Sequence, residues 1–249
     1  RSDRYESTWE YEQYLRLDPQ SQEPAEVQAR IGNLQSQLPA EPEPTTAPAV
    51  PSAAPNMDAA SDSGMSNTDN NTSDNTPTFS GTGAPTSTTV RLYMGGSIQC
   101  TVTSDGTGAY SACTVAPAIA DGSYSATARS VDTAGNESGD SAALTPVVID
   151  TAAPAAPASA PDLDAASDSG SSSVDNLTSD TTPTLSNAAA SAVPNGQVRL
   201  YTAGPTLRCT VTTDGAGNYS ACTSTALADG AATFIARSVD AAGNEGADS

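Results

Sequence analysis

The segment CTVTSDGTGAYSAC, residues 100–113, and its near copy CTVTTDGAGNYSAC, residues 209–222, carry all four cysteines of the chain at C-x12-C spacing. Thiols so placed offer two chemistries, a soft-metal site or a disulfide. Tetrahedral zinc sites draw their ligands from close pairs such as C-x2-C, which this spacing does not supply. A hairpin does explain it. If residues 105–108 close the turn, Ser104 faces Ala109, and counting outward sets Cys100 opposite Cys113. The same count sets Cys209 opposite Cys222. Facing positions of an antiparallel pair bring Cβ atoms within disulfide reach, so the expectation is one bridge inside each unit and none between units. The same register puts Cys100, Val102 and Cys113 on one face and Tyr110 and Ala112 on the other, leaving open which face is buried. A bulge at the Gly-rich turn would change that division. Closing a loop of this size contributes about 3 kcal/mol and implies assembly in an oxidising compartment.

A second set of residues suits oxygen-ligand chemistry. SDSGMSNTDNNTSD crowds Asp62, Asp69 and Asp74 among amides and hydroxyls, and SDSGSSSVDNLTSD does the same with Asp168, Asp175 and Asp180. Irregular, oxygen-rich backbone of this kind suits Ca²⁺, although the spacing is not that of the twelve-residue EF-hand loop. The alternative is that these residues make Asx and Ser/Thr turns in a solvated loop. DTAGN and DAAGN read as turns in which Asp132, Asn136, Asp240 and Asn244 cap their own backbone. Other chemistry is poorly served. Histidine is absent and all nine basic residues are Arg, which removes Schiff-base and Lys-Asn isopeptide chemistry and the usual nucleophile-base pairs. The expectation is a protein that is not an enzyme. A net charge of −20 also disfavours nucleic acid and anionic membrane as partners, and no apolar run is long enough to cross a bilayer.

The elements that must position these residues come in two copies. DAASDSGMSNTDNNTSDNTPTFSG at 58 matches DAASDSGSSSVDNLTSDTTPTLSN at 164, VRLY at 90 matches VRLY at 198, and ARSVDTAGNE at 128 matches ARSVDAAGNE at 236. The offset drifts from 106 (58 to 164) to 109 (100 to 209). A period of that size is a whole domain. Within the first copy TPTFSG, TTVRLYM, SIQCTVT, AYSACTV, SYSATARSV and ALTPVVID read as strands between turns rich in Gly, Pro, Asn and Asp. Val90, Leu92 and Met94 share one face, and Arg91 and Tyr93 the other, as in an antiparallel sandwich with one wet face per sheet. With aromatics at 4% of the chain, the core must be thin and the domains small.

This unit, from SDSG through VRLY and DGxGxYS to ARSVDxAGNE, resembles the bacterial immunoglobulin-like repeats strung in tandem in large secreted and surface adhesins. The resemblance covers nearly all of 58–249. It implies immunoglobulin-like sandwiches used as a stalk or binding module, often with calcium at domain junctions. The cysteines depart from it, since repeats of this type usually have none. The expected organisation is a helical hairpin over 1–38, a Pro/Ala-rich linker over 39–57, repeat one over 58–150, a second Pro/Ala linker over 151–163 and repeat two over 164–249. The fold class is mostly β, two tandem sandwiches behind a short helical hairpin. In that hairpin Tyr11, Tyr14, Leu15 and Pro19 resemble the end of a tetratricopeptide array.

The function expected is a non-enzymatic extracellular stalk, filament component or adhesin shaft, exported through the periplasm, whose partners are copies of itself or further repeats of the same chain. The alternative is an accessory module of a larger secreted or envelope protein that binds glycan or a surface protein. Tyr93 and Tyr201, beside Arg91 and Arg199, would form its aromatic platform. Opening on Arg1 without a signal peptide, the chain reads as a mature or partial segment of a longer product. Ser249 corresponds to Ser141, so the final strand of copy two is expected from residues beyond it or from a donor strand of a neighbouring subunit.

Overall fold

A computed structural model of the chain describes residues 46–187, 192–202 and 204–249. The expected helical hairpin, with its tetratricopeptide-like residues, lies outside them. Every regular element among the described residues is a strand, and no helix there is long and apolar enough to cross a membrane. The two repeats are tandem immunoglobulin-like sandwiches.

Repeat one contains β1 (Asn56–Met57), β2 (Asn71–Thr72), β3 (Thr78–Gly81), β4 (Thr89–Met94), β5 (Ser97–Thr103), β6 (Tyr110–Thr114), β7 (Gly122–Val131) and β8 (Leu144–Ile149). One sheet has the order β1-β3-β6 and the other β2-β8-β7-β4-β5. Alternation explains β4: Val90, Leu92 and Met94 are buried while Arg91 and Tyr93 face outward. Between the sheets lie Met57, Phe79, Leu92, Met94, Val115, Val147 and Ile149, all nearly inaccessible to solvent. Burying a side chain of this size contributes about 1.5–3 kcal/mol. β8 pairs with β7 at Leu144 and again from Val147 to Ile149, with a register shift between, and with β2 at Val148 and Ile149, so Pro146 falls at the irregularity of the ladder.

Repeat two contains β9 (Asp162–Leu163), β10 (Thr184–Ser186), β11 (Gln197–Thr202), β12 (Thr206–Thr212), β13 (Cys222–Thr223) and β14 (Phe234–Val239), in sheets ordered β13-β10-β9 and β12-β11-β14. Its core is Leu185, Val198, Leu200, Tyr219, Cys222 and Ala236. Both linkers give their last residues to a sheet. Met57 faces Phe79 and Leu163 faces Leu185, so each repeat starts before the boundaries drawn at Asp58 and Asp164.

The cysteines are joined as Cys100 to Cys113 and Cys209 to Cys222, with Cα separations of 5.6 and 5.9 Å. The ladder expected to bring them together is absent. The turn does close, with Asp105 N donating to Ala109 O at 2.7 Å, but β5 then pairs with β4 while β6 pairs with β3. Each bridge therefore spans the two sheets. The facing pattern changes accordingly: Tyr110 and Cys113 both point inward while Ser111 and Ala112 are exposed. Two inward residues three apart cannot lie on a regular strand. Ala112 (φ 56°) and Ala221 (φ 56°) supply the local left-handed turn of the backbone that puts them there.

Alkylation of the unreduced chain followed by intact mass should find no free thiol. Replacing Cys100 and Cys113 together with Ser should lower the stability of repeat one by about 3 kcal/mol in denaturant unfolding. An unchanged midpoint would show that the sheets hold without the tie.

Candidate functional site

The Asp-rich loops are built by short local hydrogen bonds, the same ones in both repeats. Asp69 Oδ1 accepts from Asn71 N at 3.1 Å, and Asp74 Oδ1 accepts from Thr76 N at 2.9 Å. Asp175 Oδ1 accepts from Leu177 N at 3.2 Å and Asp180 Oδ1 from Thr182 N at 2.8 Å. These four carboxylates are acceptors of Asx turns. Asp62 and Asp168 differ. They are 3% and 4% exposed, and in each one oxygen takes an amide, from Asn70 at 3.1 Å and from Asn176 at 3.2 Å. The Oδ1 of each is buried with no hydrogen-bond partner, as is Asn71 Oδ1. Burial pushes the Asp62 carboxyl above its usual 3.8, the Asn70 amide opposes this, and the charge of Asp69 adds to it. No three acidic groups converge among the described residues. The six aspartates thus divide into two with unmet oxygens and four that shape turns. A Ca²⁺ ion would find one carboxylate per loop, with amide and backbone oxygens for the remainder.

The loop of repeat one also forms the junction with repeat two. Ser63 Oγ donates to Ala242 O at 2.9 Å, Ser73 N donates to the same oxygen at 3.1 Å, and Asn244 Nδ2 donates to Asp150 O at 2.7 Å. The turn met by the loop is the DAAGN segment, which Asp240 caps by accepting from Asn244 N at 2.9 Å. Two glycines set the approach. A Cβ on Gly64 would stand 2.2 Å from Ala241 O, and one on Gly243 would stand 2.7 Å from Gly64 Cα. Both residues also have positive φ, 107° and 93°. Any side chain at either position pushes the repeats apart.

Tyr93 and Tyr201 do not form open platforms. The Arg129 guanidinium lies 4.3 Å from the centre of the Tyr93 ring, and Arg237 lies 4.8 Å from that of Tyr201. Tyr93 Oη donates to Glu137 Oε1 at 2.6 Å. Glu137 lies 3.6 Å from both Arg91 and Arg129, and Arg129 Nε reaches Asp140 at 2.6 Å. Repeat two duplicates the network: Arg199 to Glu245 at 2.7 Å, Arg237 to Glu245 at 3.2 Å and Arg237 to Asp248 at 2.5 Å. Each ring thus carries a guanidinium over one face. Arg129, Glu137 and Asp140, with Arg237, Glu245 and Asp248, are the participants that sequence reasoning missed. The signal was present in the repeated ARSVDxAGNE, whose tight turn sets Glu137 opposite Val131 and Glu245 opposite Val239, two residues from Arg129 and Arg237.

The family model described as "Bacterial Ig-like domain" matches residues 48–151 and again 155–249. No curated protein matches the chain. Among solved structures, one described as "Biofilm associated protein - BSP domain" aligns at 17% identity over 71% of this chain and 27% of that one, with a TM-score of 0.24. The chain therefore spans about a quarter of that protein's length.

Two carboxyls of the Arg networks sit below their ordinary values. Asp140 is held under 3.8 by the hydrogen bond from Arg129. Glu245 is pushed upward by burial, but hydrogen bonds from Arg199, Tyr201 and Arg237 outweigh this and leave it under 4.5. A carboxyl lowered in the fold stabilises fully above its unfolded value and loses that contribution as pH falls through the folded one. Thermal midpoints should therefore drop on acidification below about pH 4.5, and Glu245→Gln should flatten that drop in repeat two. Superimposable acid profiles would show that the network adds nothing to stability.

Proposed function

Taking as premise that the chain belongs to the bacterial Ig-like domain family through both of its repeats, we propose that it is a shaft segment of a bacterial surface adhesin, outside the cell. Its work is to hold successive domains in a set relation rather than to catalyse. The observation that carries this reading is the junction, where backbone meets backbone at Gly64 and Gly243 with side chains excluded. Domains on a free linker need no such approach. The corresponding positions elsewhere support an extended array: Gly135, the counterpart of Gly243, and Gly170, the counterpart of Gly64, have positive φ and open space where a Cβ would stand. Each repeat thus leaves free the half of the junction that its neighbour uses. An acidic surface at net charge −20 keeps such arrays soluble and mutually repelling.

Calcium belongs to the same proposal. Asp62 Oδ1 and Asn71 Oδ1, buried and unpartnered in the loop that meets repeat two, are hard oxygen donors. A bound Ca²⁺ would neutralise the buried carboxylate and give those oxygens a partner.

Small-angle scattering of the chain should give a narrow distribution of inter-repeat distances, and Gly64→Ala or the milder Ser63→Ala should broaden it with both repeats still folded. Unchanged scattering from both variants would remove the junction as the organising contact. Adding EDTA should lower the melting temperature and broaden the distribution, while Asp62→Asn should abolish the response. Insensitivity of the parent chain to chelator would sink the calcium reading and leave the turn reading.

A further inference from the structure

Asp150, the residue at which the chain leaves β8, is fastened from three sides. Its N donates to Thr72 O at 2.9 Å, next to the Val148 N to Asn70 O bond of 2.8 Å, and both bonds belong to the parallel pairing of β8 with β2. Its O accepts from Asn244 Nδ2 of repeat two at 2.7 Å. Its chain neighbour Thr151 donates through N and Oγ1 to Asp121 Oδ1 at 3.1 and 2.9 Å. β2 is held by the same part of repeat two. Ser63 Oγ lies 3.0 Å from Thr72 Oγ1 and donates to Ala242 O, and Ser73 N reaches that oxygen at 3.1 Å. One turn, residues 240–244, thus bears on both strands.

The hold matters because β2 has little of its own. It is two residues long, stands at the edge of the order β2-β8-β7-β4-β5 and pairs with one strand only. So short an edge gains few bonds for the backbone it must order. What rests on it is nevertheless core: Thr72, Val147 and Ile149 are 0%, 0% and 1% exposed, and the two apolar residues pack with Met57 and Phe79. The peptide joining Thr72 to Ser73 carries the coupling. Its oxygen accepts from Asp150 of β8, while its N–H, on the opposite side, donates to Ala242 of repeat two. Bonds in such a chain polarise one another. Asn244 closes the circuit back to Asp150, with its amide oriented by a second bond from Nδ2 to Asp240 Oδ2 at 3.0 Å. Repeat two therefore stands where a further strand of the sheet would stand.

We propose that repeat two is a latch on the closing strand of repeat one. While the 240–244 turn is seated, β2 and the end of β8 stay shut; when it lifts, residues 71–73 and 148–151 open together and the rest of each sandwich stays folded. A pull along the chain leaves repeat one through Asp150, so tension reaches the latch before it reaches the core. The state of the junction is in this way transmitted into the preceding domain. Coupling of this kind is reciprocal, and loosening β8 loosens the junction.

The test is native-state amide exchange on the full chain, read at Val148 and Asp150, whose bonds lie wholly within repeat one. Gly243→Ala, which forces the turn away from Gly64 without removing a hydrogen bond, and Asn244→Ala, which removes the bond to Asp150, should each speed exchange at both amides by roughly three- to tenfold. Exchange at Val90 and Leu92 of β4 should not change. Asn136→Ala, the same substitution in the turn of repeat one, should leave Val148 and Asp150 at the parent rate. Parent rates at these two amides in either junction variant overturn the proposal. So does acceleration that extends equally to β4 or appears equally in Asn136→Ala, since repeat one is then losing global stability rather than a latched strand. Scattering separates this outcome from the shaft reading: inter-repeat distances that broaden while Val148 and Asp150 stay protected leave the junction in place as the organising contact and remove only the latch.

Discussion

The cystine between β5 and β6 holds the two sheets of repeat one together where the chain crosses from one to the other, and the counterpart in repeat two joins β12 to β13. The rest of each sandwich is arranged around that crossing. Few large side chains lie between the sheets; Phe79, Leu92, Met94 and Ile149 in the first repeat and Leu185 and Leu200 in the second are the bulkiest that are fully enclosed. A core so sparing in aromatics gives little margin over chain entropy. A covalent tie limits how far the sheets can separate in the unfolded chain, and the left-handed backbone at Ala112 or Ala221 lets both a cysteine and a Tyr of the same segment point inward. The hydroxyls of Tyr110 and Tyr219 lie in this apolar interior, where burial pushes each up to about 12.

The positive charges of the described repeats are largely used internally. Arg91, Arg129, Arg199 and Arg237 are committed to Glu137, Asp140, Glu245 and Asp248, and Arg208 donates to Thr202 and Thr225. Exposed ion pairs contribute little individually. Their consequence here is positional: Glu137 and Glu245 follow directly on the DTAGN and DAAGN turns, so anchoring them to the sheet fixes the turn that precedes. In repeat two that turn is the surface on which repeat one rests. Stacking, ion pairing and the inter-repeat contact thus form one mechanical series from sheet to junction.

Near-identical sequence words lead to different surroundings in the two repeats. Gly64 is pressed against repeat two, while a Cβ on Gly170 would have no atom within 4 Å. The local bonds of the loops are the same in both repeats.

The sequence by itself determined the six main strands of repeat one, the division into two like domains, the partners in each disulfide and the Asx turns at DTAGN and DAAGN. All of these follow from periodicity, turn chemistry and local spacing. It could not determine that the cystines cross between sheets, because a hairpin and a crossing share the same turn and diverge only in which strands take the next hydrogen bonds. Nor could it reveal that Tyr93 and Tyr201 lie under Arg, that Asp62 and Asp168 are buried while Asp69 and Asp74 turn the chain, or that Gly64 meets Gly243. Those depend on residues brought together across the fold, where tertiary packing decides which donors, rings and backbones come within reach.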